Sequence, residues 1–239
     1  MDGFTYNNIF ETKGIEYLII IGFLLMIIPF WILINRKVPA KAHVTNALGI
    51  LTGSMLRIPF GLHFSRNHTW VHLEKSGIAQ VGIDDFLLHV TGEVRPVSLK
   101  EAGSYIRKGE LLTEIARNGR TLRIYSPVSG VIDNVNPLVL QSPSVMNEDP
   151  YGGGWLCRIR PGNWREDTST YFKAEDAVSW VEAELGRLRD FLAGSVREYT
   201  TPMSPVILQD GGELTDRPLA DLPEEVWQDF QRSFLDIKG

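Results

Sequence analysis

Cysteine is almost absent: Cys157 is the only one in 239 residues. A lone thiol excludes an internal disulfide and leaves no cysteine cluster for zinc or an iron–sulfur centre. It fits a reducing compartment, where thiols stay free. Positive charge is also in short supply, with 24 Lys and Arg against 29 Asp and Glu. No basic run is interleaved with aromatics, so a general nucleic-acid binder is set aside. Histidine is sparse, at 43, 63, 68, 72 and 89 only. Nucleotide fingerprints, nucleophile triads and metal sets are missing. Gly152-Gly153-Gly154 lacks the Lys-Ser/Thr that would complete a phosphate loop. These absences argue against an independent enzyme, and no cofactor or metal is expected.

One apolar run stands out. Residues 17–34 read YLIIIGFLLMIIPFWILI without a charge, and a transmembrane helix over 15–35 has about the length that crosses a bilayer core. Its basic flank follows the run, the reverse of a signal peptide. A buried helix of a soluble protein is seldom apolar on every face. Pro29 is expected to kink the span, and Trp31 to sit near the interface. Residues 1–14 carry Asp2, Glu11 and Lys13, whereas Arg36, Lys37 and Lys41 follow the span. The positive-inside tendency therefore puts the remainder on the cytoplasmic side of the inner (cytoplasmic) membrane, as a single-pass protein in contact with the lipid bilayer.

Residues 36–67 read as a juxtamembrane linker. Its stretch 43–62 is fairly apolar, but Arg57, Pro59 and three glycines argue against a second span. It is expected on the membrane surface or against a partner subunit, with Asn46 capping a short helix to about Leu56.

From residue 68 the pattern changes to short alternating runs separated by turn residues. Residues 68–73 and 78–81 flank the turn 74–77 and predict a hairpin. Asp84 is placed to cap a short helix that Gly92 ends. Strands are predicted over 93–99, 110–117, 121–125, 128–135 and 155–160, a small barrel or sandwich. Apolar residues at helical spacing from Ala177 to Leu192 predict a helix stopped by Gly194.

His68-Thr69-Trp70, Val81-Gly82-Ile83, Gly92-Glu93, Tyr125-Ser126-Pro127-Val128-Ser129-Gly130 and Asn147-Glu148-Asp149-Pro150-Tyr151-Gly152 form an ordered set. In order and spacing it resembles the glycine cleavage H-protein family, over about residues 68–162. The resemblance implies a barrel-sandwich hybrid of the lipoyl-domain type. The expected fold class is thus mainly β with accessory helices, plus the N-terminal transmembrane helix. The H-protein-like domain is expected over 68–194 and an acidic tail over 195–239. In that family a lysine at a hairpin tip bears lipoate and shuttles an aminomethyl group between enzymes. Here that position falls on Gly119, between Asn118 and Arg120. Amide lipoylation needs a primary amine; glycine has no side chain, and a guanidinium stays protonated. Asn118-Gly119 is instead a strong two-residue turn signal. Lys108, the nearest preceding lysine, lies in the loop before.

His68 and His72 on one strand would stand about 13 Å apart, which favours surface or partly packed histidines over a metal pair. Cys157 alternates with Trp155 and Ile159 and so should face the core. Asp84-Asp85 fits capping and the helix dipole better than acid–base chemistry. Arg117, Arg120 and Arg123 form either a solvated hairpin or a docking tip for an acidic surface or lipid headgroups. After Arg197 the tail carries nine acids against three bases. Within it Val226, Trp227, Phe230 and Phe234 mark a stretch that either folds on a partner or stays disordered.

Together these features suggest a membrane-anchored, non-lipoylated, non-catalytic subunit. Its span, linker and tail would contact other subunits of a membrane complex. A respiratory or other electron-transport complex is the analogy, because such assemblies recruit small anchored subunits. The alternatives are a carrier modified at another lysine, or an assembly factor or enzyme working through the hairpin cleft.

Overall fold

The computed structural model describes residues 17–27, 29, 49, 51–199, 208–209 and 213–236. The chain divides into two compact units, 1–44 and 45–239. In the first, the backbone of 17–27 is helical and its side chains are exposed on every face. Among the described residues no helix is long and apolar enough to cross a membrane. The expected span over 15–35 continues into residue 28 and residues beyond 29, which lie outside the described set, as does Asn46.

The second unit is mainly β. Strands β1 (His63–Phe64), β2 (Thr69–Leu73) and β3 (Ala79–Ile83) lead into helix α1 (Asp85–Thr91). Next come β4 (Arg95–Leu99), β5 (Tyr105–Ile106), β6 (Leu111–Arg117), β7 (Arg120–Tyr125) and β8 (Gly130–Val135). Short helices α2 (Pro137–Gln141) and α3 (Val145–Glu148), strand β9 (Cys157–Pro161) and helix α4 (Trp164–Asp167) precede the long α5 (Ala174–Tyr199). The chain closes with the pair β10 (Leu208–Gln209) and β11 (Glu213–Leu214), helix α6 (Glu224–Phe230) and a π-type turn, Gln231–Leu235.

Antiparallel pairing gives a six-stranded sheet, β1-β2-β3-β9-β8-β5, and a three-stranded sheet, β4-β6-β7. Alternation along the strands turns Val71, Val81, Ile132 and Ile159 of the first sheet, and Ile115, Leu122 and Ile124 of the second, into one shared core. Trp70 lies opposite Gly82, and a Cβ at Gly82 would stand 2.6 Å from the indole. The ring can cross β3 only because that position has no side chain. The cap of α1 forms as predicted: Asp84 accepts a hydrogen bond from Leu87 N at 2.9 Å.

Three expectations are corrected. Residues 51–62, expected as linker lying on the membrane surface or against a partner subunit, bury Leu51, Leu56 and Leu62 within the second unit. Among the described residues 51–56 of the helix expected from Asn46 to about Leu56, the helical structure is a 3-10 turn, Gly53–Met55. Arg57 anchors this stretch. Its backbone N–H and its Nη2 each donate to Asp85 at 2.8 Å, and Nη1 reaches Glu148 O at 2.8 Å. Helix α5 runs through Gly194 to Tyr199, because a glycine ends a helix only where the backbone turns left-handed, and here it does not. The acidic tail is folded over 213–236. Trp227, Phe230 and Phe234 are among the largest fully buried side chains, so burial of aromatic area outweighs the segment's charge.

Candidate functional site

The β6–β7 hairpin carries the position that the family resemblance singles out. Asn118 and Gly119 form its two-residue tip with φ of 48° and 83°, the left-handed pair a tight hairpin turn needs. Gly119 is exposed, and a Cβ built there would meet nothing within 4 Å. No lysine lies anywhere in 111–125. Lys108 is already engaged: its Nζ donates to Asp167 O at 2.9 Å and lies 4.9 Å from the Tyr171 ring centre.

The three hairpin arginines are held by the chain itself. Arg117 Nη1 donates to Glu93 O at 3.0 Å, and Arg120 Nη1 to Ala220 O at 3.1 Å. Arg123 Nη2 donates to Asp236 Oδ2 at 3.0 Å. β7 is an edge strand, whose open backbone groups would pair with any passing strand. Gln231 blocks that edge by accepting from Arg123 N at 2.8 Å and donating to Arg123 O at 3.4 Å. Tyr125 OH donates to Asp236 Oδ1 at 2.7 Å. Burial and that carboxylate push the Tyr125 phenol above its ordinary range. The expected docking residues Trp227, Phe230 and Phe234 face inward, and as partner contacts these three are corrected, because this chain's own core buries them. Arg123 pairs with Asp236 while its side chain stays half-exposed.

Two grooves flank the hairpin. One, of about 830 Å³, is lined by Asn67, Lys108, Tyr125, Tyr171 and Leu235. The other, of about 820 Å³, runs past the tip between Arg95, Arg117, Gly119 and Ser144.

His68 departs most from its expectation. It is buried, with φ of 57°, just ahead of β2. Its Nδ1 donates to Asp84 Oδ2 at 2.8 Å, and its ring stacks on Phe86 and Trp180 with centroids 4.4 and 5.1 Å away. Its Nε2 stands 4.0 Å from Glu184 Oε2 on α5. The strand geometry assumed for a surface histidine fails because residue 68 lies in the turn. Cys157 faces the core as expected, and burial pushes its thiol up to about 12, which makes it inert. The Gly152–154 turn closes on Asp149, which accepts from Gly152 N at 3.1 Å and Gly153 N at 2.6 Å. Sequence reasoning missed Arg57, Arg217 and Gln231. Each acts across a long sequence separation that leaves no local pattern. Among the described residues no group of three His, Cys, Asp or Glu is placed to hold a metal.

Comparison with known proteins gives a consistent result. The glycine cleavage H-protein family matches residues 62–184. A glycine cleavage system H protein of Mycobacterium avium is 37% identical over 136 residues, covering 57% of this chain and all of that protein. The Rubrobacter xylanophilus H protein is 42% identical over 106 residues, 44% of this chain and 83% of that one. A probable H protein of Pyrococcus abyssi is 32% identical over 127 residues, 53% of this chain and 94% of that one. A crystal structure of the Mycobacterium marinum H protein superposes with a TM-score of 0.41 at 28% identity, over 44% of this chain and 86% of that one. The chain belongs to the glycine cleavage H-protein family.

Proposed function

We propose that this protein is a membrane-anchored H-protein-like subunit that carries no lipoyl group and serves as a structural or interaction module of a membrane complex. The hairpin tip supports this best. Gly119 stands where the family resemblance expects the lipoyl lysine, and the β6–β7 hairpin contains no lysine at all. An amide to lipoate cannot form without an amine. The charge-free run 17–34, with Arg36, Lys37 and Lys41 after it, supports an anchor that leaves the barrel on the cytoplasmic face. A folded domain with its swinging-arm position rebuilt as a plain turn keeps the scaffold and drops the carrier chemistry. A respiratory redox complex is the assembly class we would examine first.

Purification from native membranes in mild detergent tests this reading, with mass spectrometry of the intact chain and its companions. Stoichiometric companions and an unmodified mass are the expected result. A lipoyl-sized addition would overturn the non-lipoylated reading, and a chain that purifies alone from the soluble fraction would overturn the anchored-subunit reading.

A further inference from the structure

Three guanidinium groups gather at one end of the β4-β6-β7 sheet. Arg117 and Arg120 are register partners across β6–β7, a placement in which like charges oppose each other. Arg117 fills the notch left by Gly92: a Cβ there would stand 2.8 Å from its Nη1 and 3.3 Å from its Cζ. The same Cβ would stand 3.1 Å from Cδ of Arg217, so one glycine lies against both side chains. Arg217 opens a turn that docks on the end of α1, with Arg217 N donating to His89 O at 2.9 Å and Leu219 N to Val90 O at 3.1 Å. Arg120 binds the carbonyl of Ala220 in that same turn.

The bland account is that these arginines serve the C-terminus of α1, where carbonyls attract cations. Those carbonyls are already taken. Thr91 Oγ1 donates to Leu87 O and Gly92 N to Leu88 O, both at 2.8 Å, while His89 O and Val90 O serve the 217–220 turn. Charge neutralisation is also incomplete. Asp216 is shared between His89 Nδ1 at 2.9 Å and Arg217 Nε at 3.5 Å. The hydrogen bonds of the Arg117 and Arg120 side chains go to backbone carbonyls. Arg117 Nε is buried without a hydrogen-bond partner among the described residues. A guanidinium carries five donors in a rigid fork suited to phosphate oxygens, and Arg117 and Arg120 each donate from Nη1 to a backbone carbonyl. Arg117 also borders the groove past the tip, together with Glu93, Arg95, Ser142 and Ser144, whereas Arg120 and Arg217 lie outside its lining.

We propose that Arg117, Arg120 and Arg217 form a binding site for a phosphate group, either free or at the head of an anionic lipid. The site rests on the geometry of the sheet end and does not depend on whether the chain carries lipoate. Calorimetric titration of the full-length protein in neutral detergent tests it, using inorganic phosphate and, separately, a short-chain phosphatidic acid. Ionic strength is held constant with chloride in both. Saturable phosphate binding is expected, weakened by about tenfold or more in Arg117→Gln/Arg120→Gln. Arg160→Gln, a change at an exposed arginine paired with Asp133, should bind as the unaltered protein does. Tighter binding of the lipid, equally sensitive to the double change, assigns a headgroup; equal binding assigns a free phosphate. Arg217→Gln changes a half-exposed side chain and should weaken binding too, which keeps the test open if the double variant misfolds. Absence of saturable binding to both probes overturns the proposal, as does binding that Arg217→Gln leaves unchanged.

Discussion

Residues 62–184, which the family match covers, bury their apolar side chains in alternation along paired strands. Residues 214–236 lie beyond that match and bury Trp227, Phe230, Phe234 and Leu235 from one face of a helix and a π-type turn. Both end in the same core. The first stretch is held by ladders that many sequences could form, whereas the second is held by aromatic area and by a few side-chain bonds to the edge of β7. Family membership therefore describes the barrel, while the open edge of β7 is covered by a segment outside the family match. Net charge is a poor guide to burial when aromatics recur at helical spacing.

The strongest way to break this contrast is to empty the C-terminal pocket. Trp227→Ala or Phe230→Ala should each cost about 3–5 kcal/mol, read from urea unfolding of the full chain, the same range expected for a large core residue such as Phe86. A loss below about 1 kcal/mol would make the segment an appendage on a self-sufficient barrel. A smaller effect sharpens the comparison at the edge strand. Gln231→Leu leaves the Arg123 N–H without its partner and should cost about 1–3 kcal/mol. Dimerisation or aggregation should rise with it as β7 becomes available for pairing.

The smallest expected effect belongs to the barrel side. Burial, then the charges of Lys173 and His72, holds the His63 imidazolium down to about 4 from an ordinary 6.5. The folded state then binds fewer protons than the unfolded state between those values, so stability falls as pH drops from about 6.5 to about 4. Half-exposure of the ring screens the effect. Unfolding midpoints across that window should decline in the unaltered protein and decline less in His63→Gln. Equal declines would remove His63 as the source, and Asp216 would act only at lower pH, below its ordinary 3.8. Burial pushes the Asp216 carboxyl up, but His89 and Arg217 outweigh burial and hold it below its ordinary range.

Much of the barrel was legible because its signals are local. The Asp84 cap, the Asn118-Gly119 turn, the inward Cys157 and the strand alternation each follow from a few adjacent residues. Misreadings came where a distant partner decides the outcome. Gly194 looks like a helix stop, yet Leu188 and Leu192 pack ahead of it and the helix continues. His68 looks like a strand residue, yet Asp84 and the stacked Phe86 and Trp180 hold it in a buried turn. Arg123 looks free until Asp236 is placed beside it. Arg217 carries no signal at all, because its place beside Arg117 depends on the chain's return to the end of α1.

By itself the sequence determined the β pattern, the family, the lysine-free hairpin with its closed turn, and a charge-free run near the N-terminus. These follow from covalent chemistry and short-range periodicity, which need no knowledge of the rest of the molecule. Only the tertiary structure decided that residues 51–62 and 213–236 belong to the domain, that Gln231 seals the edge of β7, and that Arg117, Arg120 and Arg217 share one patch. The physical reason is that burial and guanidinium pairing depend on which surfaces meet, and here those surfaces come from chain segments 100 or more residues apart.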